Sequence, residues 1–92
     1  MIRPLVRSSA FVRAAKRFAK QPGAINAIEN ALIDLESDAF APWLRTHKLK
    51  GDLAGCWASS AGYDLRIVFQ LVQLDEIESI LLLSVGTHDE VY

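Results

Sequence analysis

The stretch Ile80-Leu81-Leu82-Leu83-Ser84-Val85, followed by Gly86-Thr87-His88-Asp89-Glu90-Val91-Tyr92, decides how this chain of 92 residues is organised. A short apolar run closed by glycine is typical of a buried strand. The seven residues after that run carry an imidazole, two carboxylates and a phenol, which can all transfer protons or form hydrogen bonds. Because functional groups often lie on loops that a rigid core positions, we interpret the rest of the chain as the scaffold for this end.

The composition predicts one small globular domain over residues 1–92. The chain is 51% hydrophobic and 23% charged, and a domain of this size buries a modest share of its surface. Its single cysteine, Cys56, excludes an intrachain disulfide and a metal site built from cysteine pairs. No stretch approaches the roughly 20 apolar residues of a membrane-spanning helix. We therefore expect a cytoplasmic protein without a membrane partner.

The charges are divided unevenly along the chain. Residues 1–50 contain nine Lys or Arg and four acidic residues, whereas residues 51–92 contain one Arg and seven acidic residues. Although the net charge is −1, this asymmetry predicts a basic surface that binds phosphate or an acidic protein. Residues 1–21 also lack acids, as organellar transit peptides do. The same residues fit a strand and a helix of the fold, which is the interpretation we adopt.

The hydrophobic pattern predicts the order β-α-α-β-β-β. The predicted elements are a strand over residues 2–7, helices over 10–20 and 24–37, and strands over 56–59, 63–72 and 78–85. Pro4 places the first strand at an edge, and the turn at residues 21–23 makes the two helices an antiparallel hairpin. The fold class is therefore α+β, with the helical hairpin packed on an antiparallel sheet. In the connector, Phe40, Trp43 and Leu44 are expected to pack on the core.

The first predicted helix has two contrasting faces. Its apolar face contains Phe11 and Phe18, and Ser8 or Ser9 is expected to cap it. The opposite face carries four cations with no acid among them, namely Arg13, Lys16, Arg17 and Lys20. Like charges at this spacing repel one another. The pattern therefore fits either an ordinary solvated face or a surface that binds RNA or another anionic partner.

The sequence offers a small set of candidate catalytic residues. It contains no glycine-rich phosphate loop, no His-x-x-x-His zinc pair and no Gly-x-Ser-x-Gly elbow, so we expect no metal and no cofactor. The candidates are His88, Asp64, Arg66, Tyr92 and His47. An imidazole is suited to proton transfer near neutral pH. Asp64 and Arg66 are two residues apart and share one face of the predicted central strand.

These side chains suit cleavage of RNA by its own 2′-hydroxyl group. A base removes the 2′-OH proton, the oxygen attacks the adjacent phosphate, and an acid protonates the leaving 5′-oxygen. Arginine would stabilise the charge that develops on the phosphate, and the need for a 2′-OH selects RNA over DNA. Structural explanations also exist, since Asp64 and Arg66 could form a surface ion pair and the Tyr92 ring could cover the core.

Several features together resemble the RelE/ParE superfamily of bacterial toxins. They are the element order, His47-Lys48-Leu49-Lys50-Gly51 followed by Leu53-Ala54-Gly55, the strand Asp64-Leu65-Arg66-Ile67-Val68-Phe69, and the ending Val85 to Tyr92. The resemblance spans nearly the whole chain and is greatest to the RelE/YafQ-like mRNA interferases, which are toxins of type II toxin–antitoxin systems. It implies a metal-free ribonuclease that cuts mRNA in the ribosomal A site and is neutralised by a cognate antitoxin.

The resemblance also implies roles for the proton-transferring residues. His88 and Asp64 would exchange protons as acid and base, and His47 would be a further candidate for proton transfer. YafQ-like toxins carry one more histidine just before the strand aspartate, where this chain has Ser60.

The remaining roles concern binding. Arg66, together with Lys48 and Lys50, would bind phosphates, and Tyr92 would stack on a base or orient the substrate. Two alternatives remain open at this point. One is a ParE-like toxin that inhibits DNA gyrase by binding, and the other is a catalytically inactive protein with the toxin fold. The His88 and Tyr92 ending favours a ribonuclease over a gyrase inhibitor.

Overall fold

Five strands form one sheet in the order β1-β5-β4-β3-β2, in a computed structural model that describes residues 2–62 and 64–92. The strands are β1 (Leu5–Arg7), β2 (His47–Lys48), β3 (Trp57–Ala61), β4 (Leu65–Leu74) and β5 (Ile77–Thr87). The helices are α1 (Ser9–Lys16), α2 (Pro22–Ser37) and α3 (His88–Val91), and single 3₁₀ turns cover Pro42–Leu44 and Gly51–Leu53. The predicted α+β class is confirmed, with the short β2 and α3 as additions.

The predicted meander of β3, β4 and β5 is antiparallel, whereas β1 pairs with β5 in parallel. As Pro4 indicated, β1 lies at an edge of the sheet. The strand is shorter than predicted because the Arg3 N–H donates to the Glu36 carbonyl of α2 at 3.0 Å. The Pro4 carbonyl accepts a hydrogen bond from the Ile80 N–H at 2.8 Å, which fixes the register of β1 on β5.

The β4–β5 hairpin forms the centre of the sheet. Its turn residues Asp75 and Glu76 both have positive φ, 50° and 67°, as a two-residue type I′ turn requires. Pairing continues to the turn, so β4 extends two residues beyond the predicted end at Val72. The predicted first residue of this strand, Tyr63, lies outside the described residues.

A register shift in β5 interrupts the alternation of its side chains between the two faces of the sheet. Val68 pairs with Ser84, but Phe69 pairs with Leu82, so one extra residue of β5 is accommodated. As a result, Leu82 and Val85 are three residues apart and are both buried in the same core. A β-bulge permits this break in alternation.

Two hydrophobic clusters cover the two faces of the sheet. The larger lies between the sheet and helices α1 and α2 and includes Phe11, Leu35 and Phe69. The smaller consists of Leu49, Cys56, Ala58 and Val68, with Leu83 and Val91 packed against it. Because Val91 belongs to α3, the last helix is anchored on the face opposite to the helical hairpin.

The boundaries of the helical hairpin differ from the prediction. Ser8 caps α1, since its Oγ accepts the Phe11 N–H at 3.0 Å, but the helix ends at Lys16 and residues 17–20 form tighter turns. Helix α2 begins at Pro22, two residues earlier than predicted. Proline fits the first position of a helix, because the N–H that it lacks would have no hydrogen-bond partner within the helix there. Among the described residues, no helix is both long and apolar enough to cross a membrane.

The connector after α2 only partly follows the prediction. Leu44 is buried, but Phe40 is 44% and Trp43 is 67% exposed, so the expectation of core packing is wrong for these two aromatic residues. Phe40 makes an edge-on contact with Trp57 at a ring separation of 5.1 Å. Trp43 donates its indole N–H to Asp34 Oδ2 at 3.0 Å. Both rings are therefore held at the surface.

Candidate active site

Strand pairing brings three polar side chains to one face of the sheet. His47 pairs with Ala58, and Ser60 pairs with Arg66. Since alternate residues of a strand share a face, His47, Ser60 and Arg66 lie on the same side as Ala58. Helix α3 is anchored on this same side of the sheet. His47, Ser60 and Arg66, which are distant in sequence, therefore lie close to α3.

The short helix α3 adds His88 and Tyr92 to this face. Its capping box is complete, because Thr87 Oγ1 accepts the Glu90 N–H and Glu90 Oε1 accepts the Thr87 N–H at 2.8 Å. The backbone N–H of His88 donates to the Asp64 carbonyl at 2.9 Å, which continues the ladder between β4 and β5. The chain thus turns back over the sheet directly after β5.

The converging residues line two adjoining pockets. The first has a volume of about 390 Å³ and is lined by Arg45, His47, Ser60, Arg66, His88 and Tyr92. The second, of about 540 Å³, shares Arg45, Ser60, Arg66 and His88 with the first and adds Trp43, Gly62, Asp64 and Asp89. The fold therefore places four of the five predicted catalytic residues in one pocket and the fifth, Asp64, in the pocket beside it.

A hydrogen bond joins the two ends of this site. Tyr92 Oη lies 2.7 Å from His47 Nε2, and His47 Nδ1 lies 2.9 Å from the carbonyl oxygen of Arg45. A carbonyl oxygen only accepts, so Nδ1 carries a proton, and in the neutral imidazole Nε2 accepts the Tyr92 O–H. The Tyr92 ring also lies beside the His88 ring, with 4.6 Å between centroids. Tyr92 therefore contacts both histidines.

Partial burial favours the protonated form of the Tyr92 phenol. Partial burial raises the pKa of Tyr92, and the nearby charge and hydrogen bonding of Arg66 oppose this rise. Arg66 is held in turn by a hydrogen bond from Nη1 to the Leu65 carbonyl at 2.9 Å. The pocket thus contains a phenol able to donate a hydrogen bond and a fixed guanidinium able to bind an anion.

The two lysines expected to bind phosphate lie outside both pockets. Lys48 Nζ lies 5.4 Å from the ring centre of Trp57, and Trp57 packs against the larger core on the helical side of the sheet. Lys48 therefore occupies the face opposite to Arg66. Lys50 is exposed and precedes the 3₁₀ turn at Gly51–Leu53.

The four cations predicted on α1 do not line the two pockets either. Arg13, Lys16 and Lys20 are exposed, but Arg17 forms an ion pair with Glu90. The inference that all four lack an acidic partner is therefore wrong for Arg17, because folding brings Glu90 to it from the other end of the chain.

The Arg17–Glu90 ion pair links the helical layer to the site. The pKa of Glu90 is lowered, first by the hydrogen bond from the Thr87 backbone and then by Arg17. Both interactions hold the one-turn helix that carries His88 and Tyr92. Arg17 thus supports the position of α3, a role that its place in the sequence did not indicate.

The site also contains residues that the sequence prediction did not include. Arg45, which has a left-handed backbone (φ 51°), supplies the carbonyl that orients His47 and lines both pockets. Trp43 lines the second pocket, although we expected it in the core. In the sequence, Arg45 lies two residues before His47. In an irregular connector this spacing does not predict which residues are in contact, so the sequence did not identify Arg45.

Comparisons with solved structures identify the fold. YafQ from Escherichia coli strain BL21(DE3) superposes with a TM-score of 0.77 at 16% identity, covering 98% of each chain. The YoeB/ParE toxin from Agrobacterium tumefaciens gives a TM-score of 0.75 at 17% identity, covering 92% of this chain and 98% of that one. The E. coli DinJ-YafQ toxin-antitoxin complex gives 0.72 at 17% identity, covering 100% of this chain and 99% of the matching one.

The chain has the RelE/YafQ-like toxin fold. No family model and no curated protein matches the sequence, so the likeness is carried by the structure. In this toxin fold, the pocket below α3 is built from the sheet face opposite to the helical hairpin. The fold expected from the His47, Asp64 and Val85–Tyr92 segments is confirmed.

Proposed function

We propose that this protein is the toxin of a type II toxin–antitoxin system and acts as a ribosome-dependent endoribonuclease on mRNA. The supporting observation is that His47, Arg66, His88 and Tyr92 line one pocket, with Asp64 in the adjoining one. Imidazoles, a carboxylate, a phenol and a guanidinium are the groups that acid–base cleavage of RNA needs.

The proposed reaction uses the 2′-hydroxyl of the RNA as nucleophile. Asp64 accepts the 2′-OH proton, and the 2′-oxygen forms a bond to the adjacent phosphorus. The bond from phosphorus to the 5′-oxygen breaks, and protonated His88, which lines both pockets, donates a proton to that oxygen. The products are a 2′,3′-cyclic phosphate and a 5′-hydroxyl.

The other residues of the pocket act on the phosphate. Arg66 stabilises the negative charge that accumulates on its oxygens during attack. Tyr92, which stays protonated and is hydrogen-bonded to His47, orients the substrate and holds the His47 imidazole in place. This assigns the phenol a polar role in addition to stacking.

The proposed partners are mRNA on the ribosome in the cytoplasm and a cognate antitoxin. The proposal of an antitoxin is supported by the structural similarity to the E. coli DinJ-YafQ toxin-antitoxin complex. The exposed cations Arg13, Lys16 and Lys20 are available to bind ribosomal RNA, together with Lys48 and Lys50 at a distance from the pocket. Phosphate contacts of this kind are strongly salt-dependent.

The test is cleavage of mRNA in a purified cell-free translation reaction, with the 5′ ends of the fragments mapped by primer extension. We expect cuts at defined sites with the wild-type protein and their loss with His88→Ala. Gln73→Ala is the matched control, since Gln73 is exposed near the far end of β4 and should leave the cuts unchanged.

A gyrase assay separates this proposal from a ParE-like activity. The purified protein is added to DNA gyrase and supercoiled DNA, and cleaved DNA is measured. Gyrase-dependent DNA breaks without mRNA cuts would overturn the ribonuclease proposal and support the gyrase inhibitor. Absence of both would identify a binding protein with the toxin fold.

A further inference from the structure

Trp43 is a large aromatic residue exposed at the surface. Its side chain is 67% exposed, although exposed tryptophan is unusual in a stable domain. The ring is oriented by a hydrogen bond from its N–H to Asp34 Oδ2 at 3.0 Å, and the next residue, Leu44, is only 2% exposed. This contact favours one orientation of the side chain in the free protein, which lowers the entropic cost of binding a flat ligand.

Trp43 stands between the candidate active site and a groove along α2. On one side it lines the 540 Å³ pocket with Arg45, Arg66 and His88. On the other side it lines a groove of about 490 Å³ whose wall includes Asn26 and Asn30. A nucleotide next to the reacting phosphate could therefore reach both the indole ring and α2.

Two asparagines of α2 line this groove, although asparagine is an unfavourable residue within a helix. Asn26 and Asn30 are four residues apart, so they share one face of the helix, and both are exposed. Asparagine is less favourable than alanine in a helix, because its amide competes with the backbone for hydrogen bonds. Residues that are unfavourable for their local structure are expected at functional sites. Each asparagine amide can both donate and accept hydrogen bonds.

We propose that Trp43, Asn26 and Asn30 form a nucleobase subsite for single-stranded RNA. The base flanking the cleaved phosphate stacks on the Trp43 ring, and its edge forms hydrogen bonds with the two amides. Single-stranded RNA is recognised in this way, by aromatic stacking and contacts to base edges. The proposal rests on the proposed function for the identity of the substrate, and it adds the residues that set base preference.

Location favours RNA over a protein at this position. Tryptophan is also common at protein interfaces, but this ring lines the same pocket as Arg66 and His88 of the candidate active site. The pocket holds the carboxylates Asp64 and Asp89 as well as Arg45. The guanidinium groups beside the aromatic surface can bind the phosphate attached to a stacked base.

The first test measures binding without cleavage. In a Trp57→Phe background Trp43 is the single tryptophan, so its fluorescence reports the subsite. The probe is a short single-stranded RNA with 2′-O-methyl riboses, which lacks the nucleophile. We expect saturable quenching of Trp43 by this RNA. A fluorescently labelled form of the same RNA should bind Trp43→Leu about tenfold more weakly, because the base loses its stacking surface. Phe40→Leu, which changes another exposed connector aromatic, is the control and should bind normally.

The second test measures base preference. Mapped cut sites should show a broader choice of flanking base for Asn26→Ala and Asn30→Ala than for the wild type. Glu29→Ala changes the same helix but lies in a different groove, and should keep the wild-type preference. If Trp43 is not quenched by the probe, or if Trp43→Leu binds it with unchanged affinity, the subsite proposal is wrong.

The outcomes separate this proposal from the proposed function. Quenching and weakened binding without any mRNA cleavage would support the subsite and overturn the ribonuclease. Cleavage with identical affinity and preference in all three variants would support the ribonuclease and overturn the subsite. Loss of antitoxin binding by Trp43→Leu, with RNA binding unchanged, would overturn the subsite and assign the ring to a protein interface instead.

Discussion

The phenol of Tyr92 is hydrogen-bonded to His47 Nε2 at 2.7 Å, across 45 residues of sequence. His47 belongs to the short edge strand β2, and Tyr92 follows the helix that covers the sheet. This single contact closes the pocket between the edge of the sheet and the end of the chain. It also holds the imidazole of His47, a candidate for proton transfer, so the contributions of the two residues to catalysis should depend on each other.

Removal of this hydrogen bond should slow RNA cleavage while leaving the fold intact. We expect Tyr92→Phe to lower the single-turnover rate by about tenfold or more, because the ring stacking remains but the hydroxyl that orients His47 and the substrate is lost. His47→Gln should have a similar effect, and the double variant should be about as slow as the slower single variant. Strictly additive losses would show that the two residues act independently.

Arg17 should position the site through Glu90. We expect Arg17→Gln to shift the NMR signals of the Tyr92 ring and to lower the cleavage rate several-fold, because α3 loses its ion pair with the helical layer. Arg13→Gln removes a cation from the same helical hairpin without touching Glu90, so it should leave the Tyr92 signals unchanged. Equal shifts in both variants would refute a specific role for Arg17.

Acidification should loosen α3 before the domain unfolds. The pKa of Glu90 is lowered from its ordinary value of 4.5, so below that pH the folded state binds fewer protons than the unfolded state. Its stabilising contribution is present above pH about 4.5 and is lost as the pH falls through the folded pKa. A pH titration of the Tyr92 ring signals should show this transition, and Glu90→Gln should abolish it. A transition that persists in Glu90→Gln would assign the effect to another group.

Gly86 should be intolerant of a side chain. A Cβ at this position would lie 3.2 Å from Glu90 Oε1 and 3.3 Å from Glu90 Cβ, so Gly86→Ala should displace α3 and reduce RNA cleavage. At Gly23, an added Cβ meets nothing within 4 Å, and Gly23→Ala should maintain or increase stability. Thermal unfolding and cleavage rates of the two variants test the contrast. Full activity of Gly86→Ala would show that α3 can shift without disturbing Tyr92.

The fold was largely predictable because its elements have strong local signals. The alternation of β4 from Leu65 to Phe69 identified the central strand, and the spacing of Phe11 and Phe18 identified the first helical face. The ends of elements were less predictable. Helix α1 ends at Lys16, although its apolar pattern continues to Phe18, which is buried from the turn that follows the helix.

The candidate site was predictable as a list of residues but not as an arrangement. Residue chemistry and family-like segments selected His47, Asp64, Arg66, His88 and Tyr92. Lys48 was selected by the same criteria, yet β2 directs it towards Trp57 on the other face. In a strand, neighbouring side chains point to opposite faces, so adjacent residues such as His47 and Lys48 are separated by the sheet.

The sequence by itself determined the α+β class, the order of the main elements and the kinds of chemistry available at the end of the chain. These follow from local periodicity and side-chain type. Only the tertiary structure decided that β1 runs parallel to β5, that Arg17 holds Glu90, that Trp43 remains exposed and that Tyr92 meets His47. These features depend on strand register and on contacts between distant segments, which no local pattern specifies.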